Sequence, residues 1–327
     1  MTVINGIEID NIIYNQNEIK SAIVNNELIE DKLHVIAVIS NPCLYARRYI
    51  LFKEFVKRFE EEESNVELYI VELAYDNQRF MITHRDNKKH LQLRTSTPLW
   101  HKENMINLGV QKLLPTTWKA FAWIDADIEF ESVTWATDTL RVLNGSKDIV
   151  QLFSHAIDMN RDETTIRIVH SFGYNKSKEK KINMNGSSKD YSHPGYAWAM
   201  TRKAYEKMGG LYDKGILGSG DCVLATSLVN IADKVFKVSR YDDLLEFQKK
   251  AKTLRLGYIP TVIRHHFHGS KENRRYNERW KLLDKYKYDT SFVEYDQTNG
   301  LLIPSVKFPK EFKKDILQYF FDRKEDD

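Results

Sequence analysis

Cysteine is nearly absent. Only Cys43 and Cys222 occur in 327 residues, far apart and with no C-x-x-C spacing. This excludes a zinc knuckle and gives a disulfide framework nothing to build on. No apolar run approaches the roughly 20 residues needed to span a bilayer. Residues 1–11 have no basic stretch leading into an apolar core, so no signal peptide is expected. Charge of one sign is also lacking. A net charge of +3 argues against a dedicated nucleic-acid binder, which carries a strongly basic face, although a polyanionic acceptor such as modified DNA stays open. Internal repeats and clear linkers are missing too. What remains is a core-forming composition, 42% hydrophobic and 12% aromatic. The expectation is a soluble protein of a reducing compartment, the cytoplasm, with one elaborated domain at 32–290, an N-terminal arm at 1–31 and a C-terminal extension at 291–327 packing on the domain.

The patterning is that of an α/β chain. Leu33-His-Val-Ile-Ala-Val-Ile-Ser40 is a dense β-branched run of buried-strand length, broken by Asn41-Pro42. Residues 45–61 predict an amphipathic helix with Ile50, Phe52, Phe55, Val56 and Phe59 on one side, and 66–75 a second strand; together they read as a parallel strand–helix–strand unit. Short strands are expected at 79–83 and 90–94, a helix at 99–114, strands at 148–153, 166–172, 195–201 and 258–264, and helices at 202–208, 242–254, 271–286 and 311–323. Gly209-Gly210 gives the helix at 202–208 a C-terminal cap. The segment 3–13 reads as a small strand or hairpin and 18–24 as a short helix. The run 175–190 is polar enough for a surface loop, either a solvated excursion or a lid.

The stretch Phe121-Ala-Trp-Ile-Asp-Ala-Asp-Ile-Glu-Phe130 organises the rest. An apolar strand ends in Asp125 and Asp127, at the edge where open α/β sheets bind ligands. Two carboxylates at that spacing suit Mg²⁺ or Mn²⁺ and substrate phosphates, although an acidic turn of no function has the same form. His265-His-Phe-His268 follows a later strand. In an extended segment His266 and His268 point to one side, as a metal pair would, and His265 to the other. Asp221 follows Gly218-Ser-Gly220 at a helix start, where it is either an N-cap or a base for a substrate hydroxyl. Trp100 is a stacking surface or a packed indole, and Lys102 a phosphate partner or a solvated cation. The cations Lys271, Arg274, Arg275 and Arg279 either stabilise a leaving diphosphate or form a solvated helix face.

In this order the motifs resemble a GT-A glycosyltransferase of the β-1,4-galactosyltransferase-like group. Trp100-His-Lys-Glu-Asn-Met-Ile-Asn-Leu-Gly109 is similar to that group's segment before its metal-binding strand, and Ile124-Asp-Ala-Asp127 to the Asp-x-Asp strand itself. Residues 195–210, from Gly195 through Tyr196, Trp198 and Met208 to Gly210, resemble the segment that shapes the sugar sites, and it runs into an acidic turn, here reduced to Gly218-Ser-Gly-Asp221 and lacking the group's tryptophan. Ile263-Arg-His265 resembles the late metal-histidine segment, and His266 falls at the histidine of a His-Phe-x-Gly motif.

The resemblance implies a mixed, mostly parallel Rossmann-like sheet flanked by helices, with a C-terminal helical extension. It implies a metal-dependent transferase that moves a sugar from a nucleotide-sugar donor, expected to be a UDP-sugar, to a glycan or other hydroxyl acceptor with inversion. The metal, Mn²⁺ or Mg²⁺, is expected on Asp127 with His266 or His268, and Asp125 on the metal or the ribose. Pro42, Arg47, Trp100, Lys102, Asn107, Gly195 and Lys271 are expected on the nucleotide-sugar side and Asp221 as the base. The alternatives are a sugar nucleotidyltransferase, disfavoured because the loop 40–48 has no glycine, and a catalytically silent carbohydrate-binding scaffold.

Overall fold

The computed structural model describes residues 2–24, 32–62, 65–270, 273 and 278–327. The chain opens with a hairpin of β1 (Thr2–Ile4) and β2 (Ile7–Ile9). Its two-residue turn is Asn5-Gly6, both at positive φ (50° and 75°), which is the turn that Asn-Gly favours because it matches the twist of the strands. Helix α1 (Gln16–Val24) follows, its start held by Asn15, whose side-chain oxygen accepts from the amides of Asn17 and Glu18.

β3 (Leu33–Ser40), α2 (Ala46–Glu62) and β4 (Val66–Tyr75) form the expected parallel unit, in register from Leu33 opposite Val66 to Ser40 opposite Leu73. Along β3, Leu33, Val35, Ala37 and Ile39 face one hydrophobic cluster and Ile36 the other, so both faces are buried, as parallel strands require. β5 (His90–Thr95) extends this edge in parallel. The strand expected at 79–83 does not form. The carboxylate of Glu72 in β4 accepts hydrogen bonds from the amides of Met81 (2.7 Å), Ile82 (3.1 Å) and Thr83 (2.8 Å), and from the Thr83 hydroxyl (2.7 Å). Amides gathered onto one carboxylate cannot also join a ladder.

The chain continues through α3 (Lys102–Lys112), β6 (Ala120–Ile124), β7 (Ile128–Phe130), α4 (Trp135–Gly145), β8 (Ile149–Gln151), β9 (His155–Met159), β10 (Thr165–Ser171), α5 (Phe172–Ser177), β11 (Ser192–His193) and β12 (Ala197–Thr201). Then come α6 (Arg202–Met208), α7 (Gly220–Leu228), α8 (Ala232–Val235), α9 (Leu244–Ala251), β13 (Leu256–Tyr258), β14 (Val262–His265), α10 (Glu278–Lys285), the small β15 (Val293–Tyr295) and β16 (Leu302–Pro304) pair, and α11 (Lys310–Phe321). Gly209, at φ 81°, ends α6 as its sequence suggests. Of the helix expected at 271–286, only the part from Glu278 lies within the described residues.

The large sheet has the order β13-β8-β12-β6-β3-β4-β5, and β12 alone runs antiparallel to its neighbours. It is the expected mixed, mostly parallel sheet with helices against it. A second sheet, β11-β10-β9-β14-β7, was not anticipated. Five connections pass between the sheets: β6 to β7, β8 to β9 and β13 to β14 leave the large sheet, and β7 to β8 (through α4) and β11 to β12 return to it. The stretch read as a single strand at 258–264 is therefore two strands in different sheets, and beyond the acidic end of β6 the chain resumes as β7 in the second sheet. Pro260, which lacks an amide for a ladder, sits in the break between β13 and β14.

Because the buried carboxylate of Glu72 accepts from three amides and a hydroxyl, Glu72→Ala is expected to lower stability by about 3 kcal/mol, read as a reduced urea midpoint at unchanged m-value. An unchanged midpoint overturns this account of the 79–83 segment.

Candidate functional site

The seam between the two sheets is where the chemistry-bearing side chains gather. At the end of β6 the Asp125 amide donates to the carbonyl of Tyr196 (2.9 Å), and Asp127 follows in the turn before β7. Tyr196 has a positive φ (81°), a strained backbone for an aromatic residue that turns its carbonyl to that amide. The amide of His266 donates to the carbonyl of Asp127 (2.8 Å). The aspartate turn and the histidine run are thus tied together by the backbone.

Three donors converge there: Asp127, His265 and His268 present ligand atoms within 4.8 Å of one another. His268 Nε2 lies 2.8 Å and His265 Nε2 3.7 Å from Asp127 Oδ2, and the two ring nitrogens are 3.3 Å apart. This corrects the expected ligand pair. His265, not His266, joins His268, while His266 Nε2 turns away to Glu129 (3.0 Å). The alternation that put His266 beside His268 holds only within a strand, and β14 ends at His265. Within β14, His265 lies on the same side as buried Ile263, and Arg264 and His266 lie on the other, with Glu131 and Glu129.

Does a metal fit these donors? Asp127 Oδ1 is buried with no hydrogen-bond partner, an orphaned acceptor beside two imidazole nitrogens. One carboxylate and two imidazoles suit Mn²⁺ better than Mg²⁺, which favours all-oxygen shells. Burial alone would raise the Asp127 pKa, but His268 and His265 outweigh it and hold this carboxyl well below the usual range.

Asp125 does not belong to this cluster. It pairs instead with Lys102, whose Nζ lies 2.6 Å from Asp125 Oδ1 and 3.0 Å from Asp221 Oδ2. Lys102, expected as a phosphate partner, is therefore the cation that holds two carboxylates together. Burial alone would lower its pKa, yet Asp125 and Asp221 outweigh that and raise it. Asp125 is raised, through burial first and the neighbouring Asp221 and Asp127 charges, against the pull of Lys102. Asp221 stands in the first turn of α7, after Gly218 and Ser219 at φ 95° and 85°. Its Oδ2 would lie 3.4 Å from a Cβ at Gly195, so the bare glycine keeps the space before it open. Behind α7, a Cβ on Gly220 would come within 2.2 Å of the buried Glu103 carboxyl, and only glycine fits.

These groups line one cleft of about 1070 Å³, together with Pro42, Trp100, Gly195 and Met184–Ser187 of the polar 175–190 segment. The indole Nε1 of Trp100 is buried without a partner. Two expected nucleotide-side residues are not on the wall. Asn107 is a buried brace, its amide donating to the Leu211 carbonyl (2.9 Å) and its oxygen accepting from the Leu211 amide (2.8 Å). Arg47 donates to the Phe267 carbonyl (2.9 Å), and the neighbouring Arg48 lines the cleft in its place. Lys271, Arg274 and Arg275 lie outside the described residues. Arg279 is on the wall and donates to Ser219 Oγ (2.8 Å). Sequence reasoning missed His193, Arg323 and Glu325, which also line the cleft. His193 stands just outside the 195–210 segment, and Arg323 and Glu325 lie beyond the last residues that carry the resemblance.

Among the described residues no helix is long and apolar enough to cross a membrane. No family model matches the chain, and no curated protein matches it. Among solved structures it is similar to the catalytic domain of Drosophila β1,4-galactosyltransferase 7 in complex with xylobiose, at 13% identity over 84% of this chain and 92% of that chain, with a TM-score of 0.38. A mutant of that enzyme in complex with manganese, UDP-Gal and xylobiose gives 13% identity, 84% and 93% coverage and a TM-score of 0.39. A Bacillus anthracis chain assigned as a glucose-1-phosphate thymidylyltransferase, in complex with sucrose, gives 8% identity, 71% and 88% coverage and a TM-score of 0.36.

Burial, and then the charge of Asp221, push the Glu103 carboxyl from its ordinary 4.5 up to about 8, against Lys102. A carboxyl with a raised folded pKa contributes stability that is complete below the unfolded value and is lost as pH rises through the folded one. Wild type should therefore lose stability relative to Glu103→Gln between about pH 5 and pH 8. Urea unfolding across that range reads the difference, and parallel curves for the two proteins overturn it.

Proposed function

We propose that the chain is a metal-dependent glycosyltransferase of the GT-A type, moving a sugar from a UDP-sugar or related nucleotide sugar to the hydroxyl of a glycan or similar acceptor. The observation that carries this reading is the convergence of Asp127, His265 and His268 on one cleft with the Lys102-linked pair Asp125 and Asp221. A divalent ion held by the first three residues, Mn²⁺ by preference, supplies positive charge to the diphosphate of the leaving nucleotide.

This chain's own residues do the rest. Trp100 offers a flat surface and an unpartnered N–H on the cleft wall. Arg279, anchored on Ser219, adds positive charge near Asp221 for the departing diphosphate. Asp125, paired with Lys102, is assigned to the ribose rather than to the metal. Asp221 is the base. Its Oδ2 rests on Lys102, so the carboxylate is held in place, and Oδ1 is assigned to the acceptor proton. Gly195, with no side chain, lets the acceptor approach that oxygen. A base on the acceptor side and a nucleotide on the other give direct displacement, hence inversion at the anomeric carbon.

Two variants test the assignment. Asp127→Asn should weaken Mn²⁺ binding by at least tenfold in calorimetry and abolish UDP-sugar hydrolysis and transfer together. Hydrolysis that survives in excess EDTA sinks the metal reading. Asp221→Asn should cut turnover by roughly 10²–10⁴-fold while nucleotide affinity stays nearly constant; loss of nucleotide binding instead makes Asp221 a structural residue.

A further inference from the structure

Both histidines of the cluster are backed by a buried carboxylate that an arginine holds. Behind His265 stands Asp158, with a side chain only 1% exposed. Its Oδ1 lies 3.0 Å from His265 Nδ1 and accepts from the Tyr196 hydroxyl (2.7 Å), and its Oδ2 accepts from Arg167 Nε (2.8 Å). Behind His268 stands Glu325, with a side chain 0% exposed and Oε2 3.8 Å from His268 Nδ1. Its Oε1 accepts from Arg48 Nη2 (2.7 Å) and lies 2.8 Å from Arg323 Nε.

At His265 the Asp158 acceptor 3.0 Å from Nδ1 would keep the ring proton there and leave Nε2 to the cluster, whereas Glu325 acts on the His268 ring as a charge at ion-pair distance, 3.8 Å from Nδ1. The two Nε2 atoms, 3.3 Å apart beside Asp127, are oriented as ligands by their outer partners. We propose that Glu325 is a positioning residue of the metal cluster, orienting the His268 ring by its charge where Asp158 orients His265 by a hydrogen bond. The inference rests on the metal reading given above.

The segment that carries Glu325 is seated for such a role. Asp326 accepts from the amides of Ala46 (3.0 Å) and Arg47 (2.8 Å), the first turn of α2, where a carboxylate satisfies free amides and meets the positive end of the helix dipole. The Tyr45 hydroxyl donates to the carbonyls of Phe320 (2.9 Å) and Phe321 (2.8 Å). Arg161 donates to the Asp326 carbonyl (2.9 Å). Gly269, at φ 88°, completes the fit, because a Cβ there would stand 2.9 Å from Glu325 Cα. The loop bearing His268 and the segment bearing Glu325 are thus in backbone contact. Arg47, which donates to Phe267, ties that loop to the same helix start.

The test is a Mn²⁺ titration of the full chain, followed by calorimetry or by the EPR signal of free Mn²⁺. Glu325→Gln should weaken binding by about 10–100-fold. A double-mutant cycle separates positioning from general support. In the His268→Ala background Glu325→Gln should change Mn²⁺ affinity no further, because its effect runs through the ring. If Glu325→Gln does not fold, Glu325→Asp takes its place in the cycle; it keeps the charge and draws the carboxylate back from His268 by one methylene. Equal Mn²⁺ affinity in wild type and variant, or losses that simply add in the cycle, overturn the proposal. Absence of Mn²⁺ binding by wild type is a different outcome, which removes the metal reading itself.

Discussion

One backbone hydrogen bond, from the amide of His266 to the carbonyl of Asp127, holds together two segments about 140 residues apart in sequence. β7 and β14 pair antiparallel just beyond it, with His265 opposite Ile128. The distance between carboxylate and imidazole is therefore fixed by main-chain geometry, not by flexible side chains. Everything proposed for the cleft depends on that pairing. It exists because β6 and β13 both leave the large sheet at the same level and resume in the small one.

Charge is managed by pairing inside this low-dielectric seam. Lys102 serves two carboxylates, and among the described residues Glu103 behind them has no ion-pair partner of its own, so its carboxyl is driven toward the neutral form. On the other side, Arg167 and Arg48 each hold the outer carboxylate of a histidine. An uncompensated buried charge costs several kcal/mol, so the arginines are part of what allows carboxylates to stand behind the ligands at all. The proposed base and the proposed ligands thus sit in separate electrostatic neighbourhoods, one organised by a lysine and the other by arginines.

Much of the fold was legible from local pattern. The β-branched runs of β3 and β4, the Gly209 cap and the acidic strand end at 125–127 are all short-range signals, and each stands where its chemistry requires. The mixed parallel sheet follows from the order of those elements. What was not legible is long-range. Asp125-Ala-Asp127 and Pro260 mark the ends of β6 and β13, but nothing local says that the chain resumes in a second sheet. The alternation applied to 265–268 assumed a strand that ends one residue in, and the wrong histidine followed. Asn107 and Arg47 are polar residues in plausible places, yet their partners are the Leu211 backbone and the Phe267 carbonyl, set by tertiary packing. Glu325 has no local signal, since its meaning lies in Arg48 and His268.

The Glu72 clamp has a consequence beyond stability. β5 is an edge strand of the large sheet, with one side available for pairing. The segment 79–83 has the composition of a strand but lies over the face of β4 and β5, where the side chain of Gln92, opposite Glu72 in the ladder, donates to the Thr83 carbonyl (3.0 Å) and hydroxyl (3.1 Å). By drawing the amides of 81–83 inward, Glu72 makes a strand-like sequence into a cover for that face. The same sequence released from that carboxylate would present free backbone donors beside the unpaired edge of β5, and pairing with a passing chain is the hazard such exposed donors create.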